Sequence, residues 1–245
     1  MCVDNTTFAE TSSLVSRWID DPKGRYICVS NVHMCMECWD NAEFSKTVEN
    51  ADLVVPDGKP SAIALKLLGY KQTEQIRGAD LTKEILKYAN STNAVIGFYG
   101  GTETALARIR EKLNSDYPGI KIGCMISPPF KPLSEVEIAS YRQLIKISGI
   151  QLLFVGLGCP KQELWMTTNV KYLNTTLIGV GAVFDFLSGE KPMAPKWIRA
   201  IGMEWFFRLI TEPCRLWKRY ANTNARFMWY FGRQYIRHRL NKTCA

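Results

Sequence analysis

The sequence predicts an α/β fold: a mostly parallel sheet with helices on both faces, followed by a basic, aromatic-rich helical appendage at the C-terminus. Three observations predict it. Short runs rich in Val, Ile and Phe alternate with segments of helical periodicity, as in sheets covered on both faces. Several of those runs end in glycine or in an Asp-Gly turn. The charge is also segregated. Twelve Lys/Arg and two Asp/Glu fall from Lys191 onward, against 19 and 21 before it. The whole positive excess therefore lies between Lys191 and the C-terminus and implies an anionic partner there.

Six strands are expected, at Tyr26–Ser30, Leu53–Pro56, Ala94–Tyr99, Ile120–Ile126, Leu152–Gly156 and Thr176–Val180. Between them, Leu106, Ile109, Arg110 and Leu113 share one helical face. Ser134 with Glu137 three residues later forms a capping box that opens a helix toward Ile147. The arrangement is Rossmann-like over residues 1–190, with the helical appendage occupying 191–245.

Length and composition exclude several classes. The chain has 245 residues, 47% hydrophobic and 22% charged, enough for a full core and unlike a disordered chain. It has no run of 18 uncharged apolar residues and no basic, apolar leader, so a cytoplasmic location is expected. Its eight cysteines read as buried small apolar residues or idle thiols in a reducing compartment. Cys35 and Cys38 form a CxxC after His33, but no second ligand pair exists for zinc. With Met34 and Met36 interleaved, the segment reads as a turn of buried helix.

Open parallel sheets bind ligands at the carboxyl ends of their strands. Four segments here carry glycine at such ends: 54–58, 97–102 (Gly100, Gly101), 155–162 (Gly156, Gly158) and 179–185 (Gly181). Glycine lets a backbone approach a ligand, and the next helix N-terminus offers free N–H groups to phosphate. Each alone fits a tight turn. Several at one edge indicate a nucleotide or sugar-phosphate site. Lys161 stands where a dinucleotide fingerprint needs its third glycine, so nicotinamide chemistry is disfavoured. No GxxxxGK[ST], no GxSxG and no Asp-x-Asp pair occur. P-loop, triad and metal-dependent sugar-nucleotide chemistry are disfavoured in turn.

Read in order, the motifs resemble the WecG/TagA/CpsF family of bacterial glycosyltransferases over roughly residues 25–220. They are Asn-Val-His-Met at 31–34, Val-Pro-Asp-Gly at 55–58, Arg-Gly-Ala-Asp-Leu-Thr at 77–82, and Gly-Phe-Tyr-Gly-Gly at 97–101. Gly-Leu-Gly-Cys-Pro-Lys-Gln-Glu at 156–163, the glycine-rich segment at 179–189 and the Trp/Arg-rich stretch at 194–220 complete the set. Family members often carry Thr where this chain has Val29.

The resemblance implies an inverting transferase that uses neither metal nor other cofactor. It would move a sugar (N-acetylmannosamine, its uronic acid or glucose) from a UDP-sugar to a polyprenyl-diphosphate-linked saccharide, at the inner face of the membrane. In that setting Asp57 is the general base, which takes the proton from the attacking hydroxyl; otherwise it is a turn residue. Asn31 contacts the donor or orients Asp57, or caps the following helix, or both. Gln162 contacts a sugar hydroxyl or phosphate, or is a solvated first-turn residue. Asp185 accepts from the nucleoside, or pairs with a nearby cation. Arg208 and Arg215, seven residues apart, hold the diphosphate if the helix runs through Pro213; Arg219 fits a solvated face equally well.

Beyond Arg219, Arg226, Arg233 and Arg237 interleave with Phe227, Trp229, Tyr230, Phe231 and Tyr235. That pattern suits docking on an anionic membrane surface, or an ordinary amphipathic helix packed on the body. The competing class is a nucleic-acid-binding module that uses this tail. The leading reading involves no nucleic acid, and homo-oligomerisation is left open.

Overall fold

A computed structural model describes residues 3–21 and 23–243. The elements run α1 (Phe8–Asp20), β1 (Arg25–Ser30), α2 (Val32–Asp40), α3 (Ala42–Glu49), β2 (Leu53–Pro56), α4 (Lys59–Leu67) and α5 (Gly78–Thr92). Next come β3 (Val95–Gly100), α6 (Glu103–Asp116), β4 (Lys121–Ile126), α7 (Glu135–Ile147), β5 (Leu152–Gly156) and α8 (Lys161–Asn169). The chain closes with β6 (Thr176–Gly179), α9 (Val183–Leu187), α10 (Lys196–Ala200), α11 (Glu204–Thr211) and α12 (Pro213–Thr243).

The six strands form one sheet in the order β2-β1-β6-β5-β3-β4, every pair parallel. Each lies within a residue of its expected place. The strands read as unbroken apolar runs because alternate side chains enter different cores. Phe154 packs with Phe98, Leu106 and Phe184 on one face; Leu153 and Val155 pack with Met34, Phe44 and Met166 on the other. α1, α5, α6 and α9 build the first layer and α2, α3, α7 and α8 the second. Helices α6 and α8 leave the adjacent strands β3 and β5 on opposite faces of the sheet.

Local signals are realised in detail. Ser134 and Glu137 form the reciprocal capping box of α7. Leu106, Ile109 and Leu113 are buried on α6, but Arg110 is exposed. It stands at the margin of the buried stripe, where a long charged side chain reaches water. Met34, Met36 and Cys38 are buried along α2.

Pro213 divides the C-terminal helices: α11 ends at Thr211 and α12 starts at Pro213, whose missing N–H is harmless at a helix start. Arg208 and Arg215 therefore do not share a face of one helix. α12 packs on α2, where Tyr230 stacks on Trp39 with ring centroids 4.2 Å apart and Arg226 clasps Asp40 through both guanidinium ends. Among the described residues no helix is long and apolar enough to cross a membrane.

Candidate active site

The parallel pairing of β1 and β2 sets Ser30 opposite Pro56. The next residues, Asn31 and Asp57, therefore leave the sheet side by side. Asn31 caps α2, its Oδ1 accepting from the N–H groups of His33 and Met34 at 3.0 and 3.3 Å. The cap consumes the amide oxygen and leaves the amide NH2 for the cavity that Asn31 lines. Both readings of this residue are thus compatible in one geometry.

Asp57 is held by two backbone contacts and one side chain. Its N–H donates to Ser30 O at 2.8 Å, and its carbonyl accepts from Gln75 Nε2 at 2.7 Å. Gly78 N–H donates to Oδ1 at 2.8 Å. No partner takes Oδ2 among the described residues. A Cβ on Gly78 would lie 3.2 Å from Val29 Cγ1 and 4.0 Å from Asp57 Oδ1, so a larger residue there would require Val29 to give way slightly. Burial raises the Asp57 pKa to about 6. The Gly78 bond opposes that rise, Glu204 adds to it, and Arg208 and Arg77 oppose it.

Around Asp57 lies a cavity of about 290 Å³ between the strand ends and the C-terminal helices. Its lining carries five basic side chains, Lys59, Arg77, Arg199, Arg208 and Arg219, against the carboxylates of Asp57 and Glu204. Arg77 is the hinge of the assembly. Its Nε meets Glu204 at 3.3 Å, its Nη2 donates to Arg199 O at 2.7 Å, and it shares Asp80 with Arg199. Lys59 Nζ donates to Ala200 O at 3.0 Å. These contacts fix α10 and α11 over the mouth. Arg208 and Arg219 have no ion pair among the described residues, and their Nε atoms are buried without a partner. They are the uncommitted cations of the cavity. His33 also lines it, its pKa lowered by burial and by Arg219.

This constellation of a desolvated carboxylate and two uncommitted guanidiniums suits removal of a proton beside a developing polyphosphate charge. A family model described as "Glycosyl transferase WecG/TagA/CpsF family" matches residues 1–241. The chain belongs to that family. Two relatives are N-acetylglucosaminyldiphosphoundecaprenol N-acetyl-beta-D-mannosaminyltransferases. The one from Bacillus spizizenii is 30% identical over 221 residues, covering 89% of this chain and 82% of the relative. The one from Bacillus subtilis is 29% identical over 208 residues, 84% and 78% of the two chains.

For a WecG/TagA/CpsF protein, the other sequence-selected residues fall into two groups. Gly100, Gly101, Gly156, Gly158 and Gly181 do gather at the carboxyl edge of the sheet, but outside the lining of the Asp57 cavity. Packing accounts for some of them: a Cβ on Gly100 would lie 2.6 Å from Gly156 O, and one on Gly156 2.7 Å from the Phe184 ring. Gly158 has open space around it. Gln162 is not solvated but 4% exposed; its Oε1 accepts from Gly158 N–H and its Nε2 donates to Glu163 at 2.7 Å. Burial raises the Glu163 pKa, which favours a neutral partner for that amide.

The second group is ionic. Asp185 pairs with Lys191, which pairs with Glu212, which holds Arg215 at 2.6 Å. Arg215 lies outside the lining of the cavity, whereas Arg219 is within it. Sequence reasoning assigned no role to Arg77, Arg199 or Glu204, because partners drawn from opposite halves of the chain leave no local pattern. The place of the 77–82 segment within the ordered motif set was the available signal for Arg77.

Proposed function

We propose that the protein is an inverting glycosyltransferase that moves N-acetylmannosamine, as its relatives' names indicate for them, from a UDP-sugar to a polyprenyl-diphosphate-linked N-acetylglucosamine. The observation that carries this reading is the placement of Asp57, desolvated and backbone-held, facing Arg208 and Arg219 across one cavity.

The acceptor hydroxyl enters beside Asp57 Oδ2. Its oxygen attacks the anomeric carbon opposite the departing UDP, and the proton passes to the carboxylate as the glycosidic bond to phosphate breaks. The charge that develops on UDP is met by Arg208 and Arg219, whose planar forks match diphosphate oxygens. These fixed cations make a divalent metal unnecessary. Asn31 orients the sugar through its NH2. The nucleoside lies along the glycine edge near Gly101, Gly158 and Gly181, with Gln162 held beneath it.

The exposed Trp197, Ile210, Trp217 and Trp229 of the C-terminal helices support docking on an anionic membrane, where the lipid-linked acceptor resides. The nucleic-acid alternative leaves the Asp57 cavity and its arginines unexplained.

The test is a panel of radiolabelled UDP-sugars with a synthetic N-acetylglucosaminyl diphosphoprenol. Lipid-linked disaccharide should form from UDP-N-acetylmannosamine. Failure of every UDP-sugar to yield it would overturn the reading.

A further inference from the structure

A second cavity, of about 590 Å³, opens between α2, α4 and α12. Its walls include Met36, Trp39, Leu65, Leu68, Phe227 and Phe231. Phe227 also lines the Asp57 cavity, so the two spaces are neighbours across one ring. The only formally charged side chains in its described lining are Arg233 and Arg237. They stand four residues apart on one face of α12, are exposed, and make no ion pair among the described residues. The groove is therefore an apolar trough with a pair of uncommitted cations at one rim.

An occupant that satisfies both features is an amphiphile with a hydrocarbon chain and a compact multiple negative charge. Phe227 and Arg233 are six residues apart, about 9 Å along the helix. A sugar in the Asp57 cavity can thus be linked to a diphosphate at the arginine pair. We propose that this groove binds the prenyl diphosphate of the acceptor, with the first isoprene units against Trp39, Leu65, Leu68 and Phe231 and the diphosphate on Arg233 and Arg237. The inference rests on the lipid-linked acceptor proposed above, and it adds where that lipid lies.

The experiment measures binding of farnesyl diphosphate to the full chain by quenching of tryptophan fluorescence, with farnesol and inorganic diphosphate as separate probes. Two variants are compared: Arg233→Ala/Arg237→Ala, which alters exposed side chains only, and Ala64→Phe, which fills the trough from α4. Farnesyl diphosphate should bind at least about 10-fold more tightly than either probe alone, since each satisfies half of the site. Each variant should weaken it by a similar factor and leave UDP affinity and helical circular dichroism unchanged. Farnesyl diphosphate binding indifferent to both variants would overturn the proposal. So would farnesol binding as tightly as its diphosphate, or sedimentation showing the groove closed by a second copy of the chain. Because the binding needs no transfer, the two readings fail separately. Loss of binding in the variants with no transfer from any donor removes the proposed reaction and keeps the groove. Normal transfer with groove-independent binding removes the groove alone.

Discussion

Gly78 donates its backbone N–H to Asp57 Oδ1 at 2.8 Å, so the chain entering α5 fixes a carboxylate that leaves the end of β2. One oxygen is committed to the fold, and the other has no hydrogen-bond partner among the described residues. The same burial that directs Asp57 also raises its pKa to about 6.

A base must be ionised to accept a proton. Transfer activity, measured as kcat/KM with a soluble acceptor analogue, should therefore fall as pH drops through about 6. Stability moves the other way. The folded pKa lies above the ordinary 3.8, so the favourable contribution is complete below pH 3.8 and is lost as pH rises through about 6. At pH 8 the ionised group costs up to about 3 kcal/mol. Asp57→Asn should accordingly melt higher than the parent at pH 8 and show no such gain at pH 4. An activity profile flat from pH 5 to 8 would remove Asp57 as the titrating base.

The two arginines free of ion pairs should matter more than the one that is paired. Arg208→Ala and Arg219→Ala should each lower turnover by about 10²-fold, the usual scale for a lost charge-stabilising donor. Arg215→Ala, which breaks only its contact with Glu212, should stay within a few-fold. Steady-state kinetics on the three proteins would decide, and a reversed ranking would reassign the diphosphate.

Five basic side chains line the Asp57 cavity, and on the proposed mechanism they meet the charge of the leaving diphosphate. Activity should survive EDTA largely intact. Abolition by EDTA with rescue by Mn²⁺ or Mg²⁺ would show that a cation, not the arginines, carries that charge.

The exposed aromatics of α12 lie outside the Asp57 cavity. Trp217→Glu/Trp229→Glu should release the protein from anionic vesicles in a flotation assay, and raised salt should weaken binding in the parent. UDP affinity should be unchanged. Vesicle binding untouched by both treatments would remove the membrane-docking role from α12.

The strands were legible because both faces of the sheet are covered, which writes each one as a continuous apolar run. Asn31 and Asp57 were legible because a polar residue directly after such a run has one place to go, the carboxyl edge. The arginines were harder. A seven-residue spacing from Arg208 to Arg215 implies one face only on continuous helix, and Pro213 restarts the helix and resets its phase. Arg77 and Glu204 meet from opposite halves of the chain, and nothing local in either segment announces the other. Glycine signals were ambiguous for a physical reason: the small size that admits a ligand also admits Phe184 and a neighbouring backbone. Gln162 follows a proline at a helix start, a position that is usually solvated, yet here it is turned inward beneath Gly179 and Gly181 and tied to Glu163.

The central claim is that Asp57 takes the acceptor's proton, and single-turnover transfer by Asp57→Asn tests it most directly. The variant should fold, bind UDP as the parent does and form lipid-linked disaccharide at least about 10²-fold more slowly. A folded Asp57→Asn protein that transfers sugar at a near-parental rate would contradict the account.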